Sequence, residues 1–170
     1  MALLELKNLK TFFATKRGTV KAVNGVSYSL DAGKVLGVVG ESGSGKSVSA
    51  MSILRLLDGN GYIDSGEILF NGQDLTKLSM NEMYKIRGNE ISVIFQEPMT
   101  SLNPVFTVSR QISEPLMIHQ GMNKKQAAAK AVELLSDVKI PNPEVVAKQY
   151  PHQLSGGQQQ RVAIARALAL

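Results

Sequence analysis

One eight-residue stretch has the residue types of a phosphate-binding loop: it reads Gly40-Glu41-Ser42-Gly43-Ser44-Gly45-Lys46-Ser47 and matches G-x-x-x-x-G-K-[ST]. Loops of this pattern surround the phosphates of a nucleotide with successive backbone N–H groups. The glycines at positions 40, 43 and 45 are expected to take positive φ angles and to let the backbone approach phosphate oxygens closely. We expect Lys46 to reach the β- and γ-phosphates and the Ser47 hydroxyl to ligate Mg²⁺. The loop, extended by Val48, therefore predicts a nucleotide site.

The segments on either side of this loop must hold it in place. Lys34 to Val39 is a short apolar run, as is typical of a buried parallel strand. Ser47 to Leu57 has helical spacing, with Met51 and Leu54 one turn apart and Gly59 as the stop. A strand before the loop and a helix after it would present the phosphates to a helix N-terminus. A glycine-rich turn that matches by accident is the plainer interpretation, and these flanking elements argue against it.

Composition limits the class of protein. A chain of 170 residues with 44% hydrophobic and 19% charged residues is typical of one soluble domain, or of a compact domain with an insertion. No run approaches the roughly 18 apolar residues that a membrane-spanning helix needs. The absence of cysteine excludes a disulfide framework and thiolate chemistry. The net charge of +5 suits a polyanionic ligand or an anionic membrane surface, but it equally fits an ordinary solvated surface.

The first half of the chain has a mixed α/β pattern. Alternating apolar residues predict antiparallel strands at Leu4 to Leu9 and Ala22 to Leu30, joined through a turn at Thr15 to Thr19. Two more short strands are predicted at Gly66 to Phe70 and Ile91 to Phe95. Between these two, the sequence predicts an Asn-Gly turn at 71–72 and a polar helix near 80–87.

From Thr107 to Gln149 the pattern becomes helical. Asn123 to Gln126 resembles a capping box, and the apolar residues that follow it have helical spacing: Ala131, Leu134, Leu135 and Val138. Asn142-Pro143 predicts an N-cap followed by proline in the first helical turn, in a helix that ends before Pro151. We interpret this region as a helical insertion.

A second element is suited to an anion. Leu154-Ser155-Gly156-Gly157-Gln158 precedes a helix predicted from Gln158 to the end of the chain. A serine and two glycines at a helix N-terminus offer a hydroxyl, accessible N–H groups and the positive end of the helix dipole. Taken alone, an ordinary serine N-cap is the better interpretation. In a chain that also carries the loop at 40–47, nucleotide contact becomes the stronger one.

The second element resembles the signature sequence of the ATP-binding-cassette (ABC) ATPases, and Gln96 closes Ile94-Phe95-Gln96 as their Q-loop does. The stretches from Gln96 to Pro104 and from Tyr150 to Gly157 are similar to the ATPase subunits of dipeptide, oligopeptide and nickel importers. The resemblance implies an α/β P-loop NTPase fold with an N-terminal antiparallel β-subdomain and an inserted helical subdomain. It assigns residues 1–100 and 155–170 to an incomplete ATPase core and residues 101–154 to the helical subdomain.

The resemblance also implies roles for individual residues. Phe13, with Phe12 as the alternative, stands where the family keeps an aromatic residue that stacks on adenine; either one could instead be a core residue. Gln96 would reach Mg²⁺ and the attacking water. In the family two cassettes dimerise head to tail, so the P-loop of one faces Ser155 and Gly157 of the other across ATP. Permease subunits contact the helical insertion and the Gln96 loop, and a substrate-binding protein acts indirectly. The location implied is cytoplasmic, on the inner face of the cell membrane.

The family's Walker B aspartate, catalytic glutamate, D-loop and switch histidine are absent from these 170 residues. We therefore expect an N-terminal fragment that binds nucleotide weakly and hydrolyses little or none, since phosphoryl transfer depends on the metal-binding and water-activating carboxylates. Steady ATP hydrolysis that Lys46→Ala abolishes would contradict this expectation. Two alternatives stay open: an ABC ATPase that works on nucleic acid, for which the basic clusters with stacking aromatics are missing, and an ATP-binding regulator without hydrolysis.

Overall fold

The computed structural model describes residues 2–95, 97 and 101–170 of the chain. The chain divides into two compact units, Met1–Met83 and Tyr84–Leu170. The predicted division into a core of residues 1–100 plus 155–170 and a helical subdomain of residues 101–154 stays a prediction.

The first unit is built on an antiparallel sheet. Its four strands have the order β2-β1-β3-β4, and they span β1 Ala2–Thr15, β2 Gly18–Asp31, β3 Gly61–Phe70 and β4 Gln73–Asp74. The strands predicted at 4–9, 22–30 and 66–70 are confirmed and are longer than predicted. The turn between β1 and β2 is closed by the Thr15 hydroxyl, which donates to the Gly18 carbonyl oxygen over 2.7 Å. The predicted Asn71-Gly72 turn joins β3 to β4.

A small apolar core lies against this sheet. Leu6, Leu9, Ile68, Leu75 and Met83 are at most 1% exposed, and Leu6 is paired with Ile68 in the ladder between β1 and β3. Helix α1, Lys46–Ile53, contacts β1 through a buried hydrogen bond of 2.8 Å between the hydroxyls of Thr11 and Ser52. This contact ties the helix that follows the glycine-rich loop to β1, one of the two interior strands of the sheet.

Two predictions near the loop are wrong. Residues 34–39 do not form a strand, and Val35 and Val39 are 98% and 93% exposed. An extended segment becomes a strand only through ladder hydrogen bonds to a neighbour, and residues 35–39 have no ladder partner in the described part of the chain. Helix α1 ends at Ile53 rather than Leu57, because Arg55 adopts a left-handed φ of +52° that a continuing helix excludes.

The strand predicted at 91–95 is also wrong. Helix α2, Met80–Ile86, forms close to its predicted position, but beyond it Ile91 makes only an isolated bridge to Arg87. Ile94 and Phe95 are 50% and 41% exposed. Like residues 34–39, residues 91–95 include apolar and β-branched side chains, but they have no neighbouring strand among the described residues with which to pair.

The rest of the second unit is helical. Its helices are α3 Val108–Gln120, α4 Lys124–Asp137, α5 Pro143–Val146 and α6 Gly156–Ala167. They enclose one core that includes Val108, Ile112, Leu116, Leu135 and Val162, all fully buried.

The sequence signals for these helices mostly hold. The Asn123–Gln126 capping box is present, and Ala131, Leu134 and Leu135 are buried. Pro143 opens α5 and Asn142 is its N-cap, as predicted, although Asn142 has φ +49° and its side chain makes no capping hydrogen bond. Helix α6 begins at Gly156 and ends at Ala167, whereas a helix from Gln158 to the end was expected. No helix in the described ranges is long and apolar enough to cross a membrane.

Candidate functional site

The loop at 40–47 uses its glycines in two ways. Gly43 and Gly45 have φ angles of +79° and +88°, in the left-handed region that favours glycine. The expectation of a positive φ at Gly40 is wrong, because Gly40 is not among the residues with positive φ. There the requirement is steric: a Cβ on Gly40 would lie 2.7 Å from the Ser44 hydroxyl oxygen. Glycine at position 40 thus leaves room for the Ser44 side chain against the first residue of the loop.

Gly45 fixes the loop to the sheet. A Cβ at this position would lie 2.4 Å from the Ala22 carbonyl oxygen and 3.5 Å from a Val23 methyl group. The β1–β2 register shifts beside Ala22, between the pairs Thr11–Val23 and Phe12–Lys21. A cavity of about 140 Å³ opens here, lined by Ala22 and residues 43–48. The sequence-predicted loop residues from Gly43 to Val48 therefore share one concave surface, while Glu41 and Ser42 are exposed beside it.

Lys46 places its charge inside the loop. Its Nζ donates to the carbonyl oxygens of Gly40 and Glu41, both over 2.6 Å, and lies 3.3 Å from the Ser44 hydroxyl oxygen. An ammonium group has three donors and no acceptor, so these neutral oxygens hold it without cancelling its charge. The arrangement is suited to a negatively charged ligand.

The start of helix α1 adds donors on the same side. In the described part of the chain, no backbone acceptor is paired with the N–H groups of Gly45, Lys46 and Ser47. Three free N–H groups at the positive end of a helix form an anion site, and the loop is therefore able to hold phosphate groups.

The Ser47 side chain is exposed at this helix start, as a metal-ligating hydroxyl must be. The described residues contain no cluster of three or more His, Cys, Asp or Glu side chains that would hold a metal ion by themselves. Metal binding by Ser47 stays a prediction. Gln96, the other predicted metal and catalytic residue, lies outside the described residues.

The two candidate adenine-stacking residues have different surroundings. Phe12 is 8% exposed and packs edge-on against Tyr62, with ring centroids 6.2 Å apart, and the Lys21 ammonium lies 5.8 Å from its ring. Phe13 is only partly buried, and its ring packs so close to Gly61 that a Cβ there would lie 2.7 Å away. Phe12 therefore has the surroundings of a core residue, and adenine stacking by Phe13 stays a prediction.

The second predicted element forms a well-capped helix start. The Ser155 hydroxyl accepts from the Gln158 N–H over 3.3 Å, and Gln158 Oε1 accepts from the Ser155 N–H over 2.9 Å. Gly156 and Gly157 are exposed, and a Cβ on either would meet nothing within 4 Å. This open surface leaves room for a partner molecule to approach the helix N-terminus. A nucleotide contact by Ser155, Gly156, Gly157 or Gln158 stays a prediction.

Sequence reasoning missed two buried glutamines that hold the loops of the second unit. Gln159 is 6% exposed, and its Nε2 donates to the carbonyl oxygens of Pro151 and Leu154 over 2.8 and 3.2 Å. Gln111 is 5% exposed and makes three hydrogen bonds with Asn103 and Phe106. Gln159 is the middle one of three consecutive glutamines. Its spacing of three residues from Val162, which places the two on the same face of a helix, was the one signal that it is buried.

Arg166 also positions a loop. Its Nη1 donates to the Ser101 carbonyl oxygen over 2.9 Å, and burial lowers the pKa of its guanidinium group. Together with Gln111, it holds the segment that follows the Gln96 loop in sequence. The available signal was an arginine within the apolar end of a helix that carries a second arginine, Arg161, nearer its start.

Comparison with known proteins gives consistent matches over nearly the whole chain. A family model described as ABC transporter matches residues 23–170. The oligopeptide transport ATP-binding protein OppD of Bacillus subtilis (strain 168) is 52% identical over 168 residues, which cover 98% of this chain and 47% of OppD. The dipeptide transport ATP-binding protein DppD of Escherichia coli (strain K12) is 48% identical over 169 residues, which cover 99% of this chain and 52% of DppD. The chain thus spans about half the length of these curated relatives.

Solved structures agree with the sequence matches. The dimeric post-hydrolysis structure of the ATP-binding cassette MJ0796 bound to ADP and Pi superposes with a TM-score of 0.86 at 32% identity, covering 98% of this chain and 69% of that chain. A second dimeric structure of MJ0796, described as a bacterial ABC transporter cassette, gives a TM-score of 0.85.

Proposed function

The chain belongs to the ABC transporter family and has the fold of an ABC ATPase cassette, and from this premise we propose that it is the ATP-binding part of a peptide importer. The complete subunit would couple ATP binding and hydrolysis to the uptake of dipeptides or oligopeptides. Relatives at about 50% identity carry oligopeptide and dipeptide transport in their names, which supports peptides over nickel as the cargo.

The observation that carries the proposal is the geometry of the loop at 40–47. Lys46 holds a positive charge among neutral carbonyl oxygens, and the residues at the start of α1 whose N–H groups have no backbone acceptor line the same cavity. Lys46 and these amides would hold the phosphates, the Ser47 hydroxyl and Gln96 would hold Mg²⁺, and Phe13 would stack on the base. Bound ATP and Mg²⁺ supply the phosphoryl-transfer chemistry that drives transport.

The proposed assembly follows from the second element. Ser155 and Gly157 stand at an exposed helix start, where a nucleotide held by the loop of another copy or of a related subunit can reach them. We therefore place two cassettes head to tail, with ATP between them. Membrane permease subunits would contact the helical region, and a substrate-binding protein would deliver the peptide. The complete subunit would lie on the cytoplasmic face of the membrane, without contact to nucleic acid.

The test is a calorimetric titration of the 170-residue chain with ATP and Mg²⁺. Lys46→Ala removes charge-assisted hydrogen bonds, and we expect it to weaken nucleotide binding by about 10- to 100-fold. Lys34→Ala is the matched control, because Lys34 is exposed and does not line the loop cavity. Equal affinities for wild type and Lys46→Ala would refute the assigned site.

The transport role needs a separate test in the complete subunit assembled with its permease. We expect ATP hydrolysis there to require Lys46 and to rise when peptide-loaded binding protein is added. Hydrolysis stimulated by nucleic acid instead of peptide would favour the alternative class of ABC ATPase.

A further inference from the structure

Three asparagines in this chain precede a glycine, and the structure places them in three different surroundings. The pairs are Asn24-Gly25, Asn60-Gly61 and Asn71-Gly72. In such a pair the backbone nitrogen of the glycine can attack the Cγ atom of the asparagine side chain, because glycine has no Cβ to obstruct the approach. The three pairs are alike in sequence, so the backbone and the hydrogen bonds of each pair decide where this reaction occurs.

Asn71 and Gly72 are the two central residues of the tight turn between β3 and β4. Phe70 and Gln73 pair across the turn, and φ is +49° at Asn71 and +82° at Gly72. Positive φ at both central residues of a two-residue hairpin defines a type I′ turn. Rotation of the peptide group between them converts it into a type II′ turn, with a ψ of about −120° at Asn71 and negative φ at Gly72. Glycine accepts either sign of φ, and the rotation turns its nitrogen toward the Asn71 side chain.

Neither reacting group of this pair is engaged elsewhere. Asn71 and Gly72 are both exposed, and in the described part of the chain neither the Asn71 side-chain amide nor the Gly72 N–H has a hydrogen-bond partner. The Asn71 N–H donates to the Leu3 carbonyl oxygen over 2.9 Å, but it is not part of the peptide group that rotates. A Cβ on Gly72 would meet nothing within 4 Å, so neighbouring atoms leave the turn free to rotate.

Asn60 and Gly61 are held by two hydrogen bonds, one on each reacting group. The Asn60 Nδ2 donates to the Ala14 carbonyl oxygen over 3.0 Å, and the Gly61 N–H donates to the Asp58 carbonyl oxygen over 2.7 Å. Both bonds must break before the Gly61 nitrogen reaches the Asn60 side chain. The structure therefore protects this pair.

Asn24 is exposed but lies within a strand. It pairs with Lys10 in the ladder between β1 and β2, and an antiparallel strand has a ψ of about +135°. Ring closure needs the opposite sign of ψ, as in the rotated turn at Asn71. The ladder must therefore open locally before Asn24 can react.

We propose that Asn71 is a site of spontaneous deamidation, with water as the only co-reactant. The Gly72 backbone nitrogen gives up its proton and bonds to the Asn71 Cγ, the bond from Cγ to the side-chain nitrogen breaks, and ammonia leaves with that proton. Water then adds to either carbonyl carbon of the resulting succinimide ring, and one ring C–N bond breaks. The product is aspartate or isoaspartate at this position, and either one adds a negative charge to the turn.

The isoaspartate product also lengthens the turn. Its backbone runs through the former side-chain carbon, so one more backbone atom separates Phe70 from Gln73, and β4 contains only Gln73 and Asp74. We expect the isoaspartate form to lose the nuclear Overhauser contacts of the Leu69–Asp74 pair, whereas the variant Asn71→Asp, which adds the charge alone, keeps them. Contacts that persist in the isoaspartate form would overturn this consequence for the hairpin.

The test incubates the folded 170-residue chain at neutral pH and follows each pair by peptide mapping with mass spectrometry, which detects an amide replaced by a carboxyl group. Asn71 is expected to convert about 10- to 100-fold faster than Asn60, whose two hydrogen bonds must break first, and faster than Asn24. In urea the three rates should become similar, because only the fold distinguishes the pairs. Conversion at Asn24 or Asn60 as fast as at Asn71, or a difference that persists in urea, would overturn the proposal.

Gly72→Ala tests the turn itself. Alanine disfavours positive φ and its Cβ obstructs the attacking nitrogen, so conversion of Asn71 should slow about tenfold. Asn24 and Asn60 are internal controls in the same sample, and their rates should not change. An unchanged rate at Asn71 would overturn the proposed route through Gly72. In Asn71→Gln the longer side chain removes the reactive group, and a carboxyl signal that persists in that peptide would place the reaction at another residue.

Discussion

At the scale of single residues, the glycines of the nucleotide loop differ in what they do. Gly43 and Gly45 both have left-handed backbone, but an added Cβ meets nothing within 4 Å at Gly43 and lies 2.4 Å from the Ala22 carbonyl oxygen at Gly45. The pattern G-x-x-x-x-G-K-[ST] requires glycine at position 45 and leaves position 43 unspecified. In the structure both glycines have a left-handed backbone that other residues rarely adopt, but only Gly45 also lacks the space for a Cβ atom.

This difference gives a matched pair of variants. Gly43→Ala should cost about 1–2 kcal/mol in free energy of unfolding, which is the strain of a left-handed alanine. Gly45→Ala should cost more, because the loop must also move away from β2, and nucleotide affinity should fall with it. Urea unfolding and ATP titration of both variants provide the check. Equal losses for the two would mean that the contact with Ala22 does not hold the loop.

Asp74 offers a residue-scale prediction on pH. Burial raises the pKa of its carboxyl group, but the Lys77 ammonium 2.9 Å from Oδ2 and the hydrogen bonds from Thr76 and Ile68 outweigh it, so the pKa is below its ordinary value. A lowered pKa means that the stabilisation is present above the unfolded value of about 4 and is lost as pH falls through the folded value.

The corresponding experiment follows unfolding by urea from neutral to acid pH. Asp74→Asn should lower the free energy of unfolding by about 1–2 kcal/mol at neutral pH, and it should reduce the loss of stability on acidification. Asp64→Asn is the control, since Asp64 is exposed in β3. If both variants show the same pH profile as the wild type, Asp74 does not contribute as described.

At the scale of elements, local signals and pairing partners explain which predictions hold. The capping box at Asn123 is a local interaction, so the sequence alone predicts it and the structure confirms it. The serine cap at Ser155, the plainer of the two interpretations of that segment, is also present. The apolar runs at 34–39 and 91–95 carry strand propensity, but a strand also requires a neighbour, which no short-range pattern specifies. The early end of α1 depends on the left-handed backbone of Arg55, a residue type that seldom adopts it.

Gln159 gives a prediction at the level of the signature helix. Replacing it with leucine removes the donor shared by the Pro151 and Leu154 carbonyl oxygens, and the Leu154 carbonyl oxygen then keeps no donor among the described residues. We expect Gln159→Leu to lower the free energy of unfolding by about 1–3 kcal/mol and to speed hydrogen exchange at the Leu154 N–H. Gln160→Leu, at an exposed position, should stay within about 0.5 kcal/mol of wild type. Exchange at Leu154 that is unchanged in Gln159→Leu would contradict this role.

At the scale of the whole molecule, the family and the fold class predicted from the sequence are confirmed by the match over residues 23–170 and by the structural similarity. Both depended on two motifs that lie in different units, the loop at 40–47 in the first and Ser155 to Gln158 in the second. These two motifs can be found in the sequence because phosphate binding requires their residue types. Sequence reasoning did not find Gln111 and Gln159, because the carbonyl oxygens that they bond are brought to them only by the folded loops.

The head-to-tail arrangement can be tested by mixing two inactive chains. Lys46→Ala damages the phosphate loop, and Ser155→Arg places a bulky cation at the signature helix start. If each nucleotide is held by the loop of one chain and the signature of another, a mixed pair retains one intact composite site. We expect each variant alone to stay monomeric with ATP and Mg²⁺, and an equimolar mixture to form dimers in sedimentation velocity experiments. Mixed chains that stay monomeric while wild type dimerises would contradict the composite site, and dimers of either variant alone would show that association does not require it.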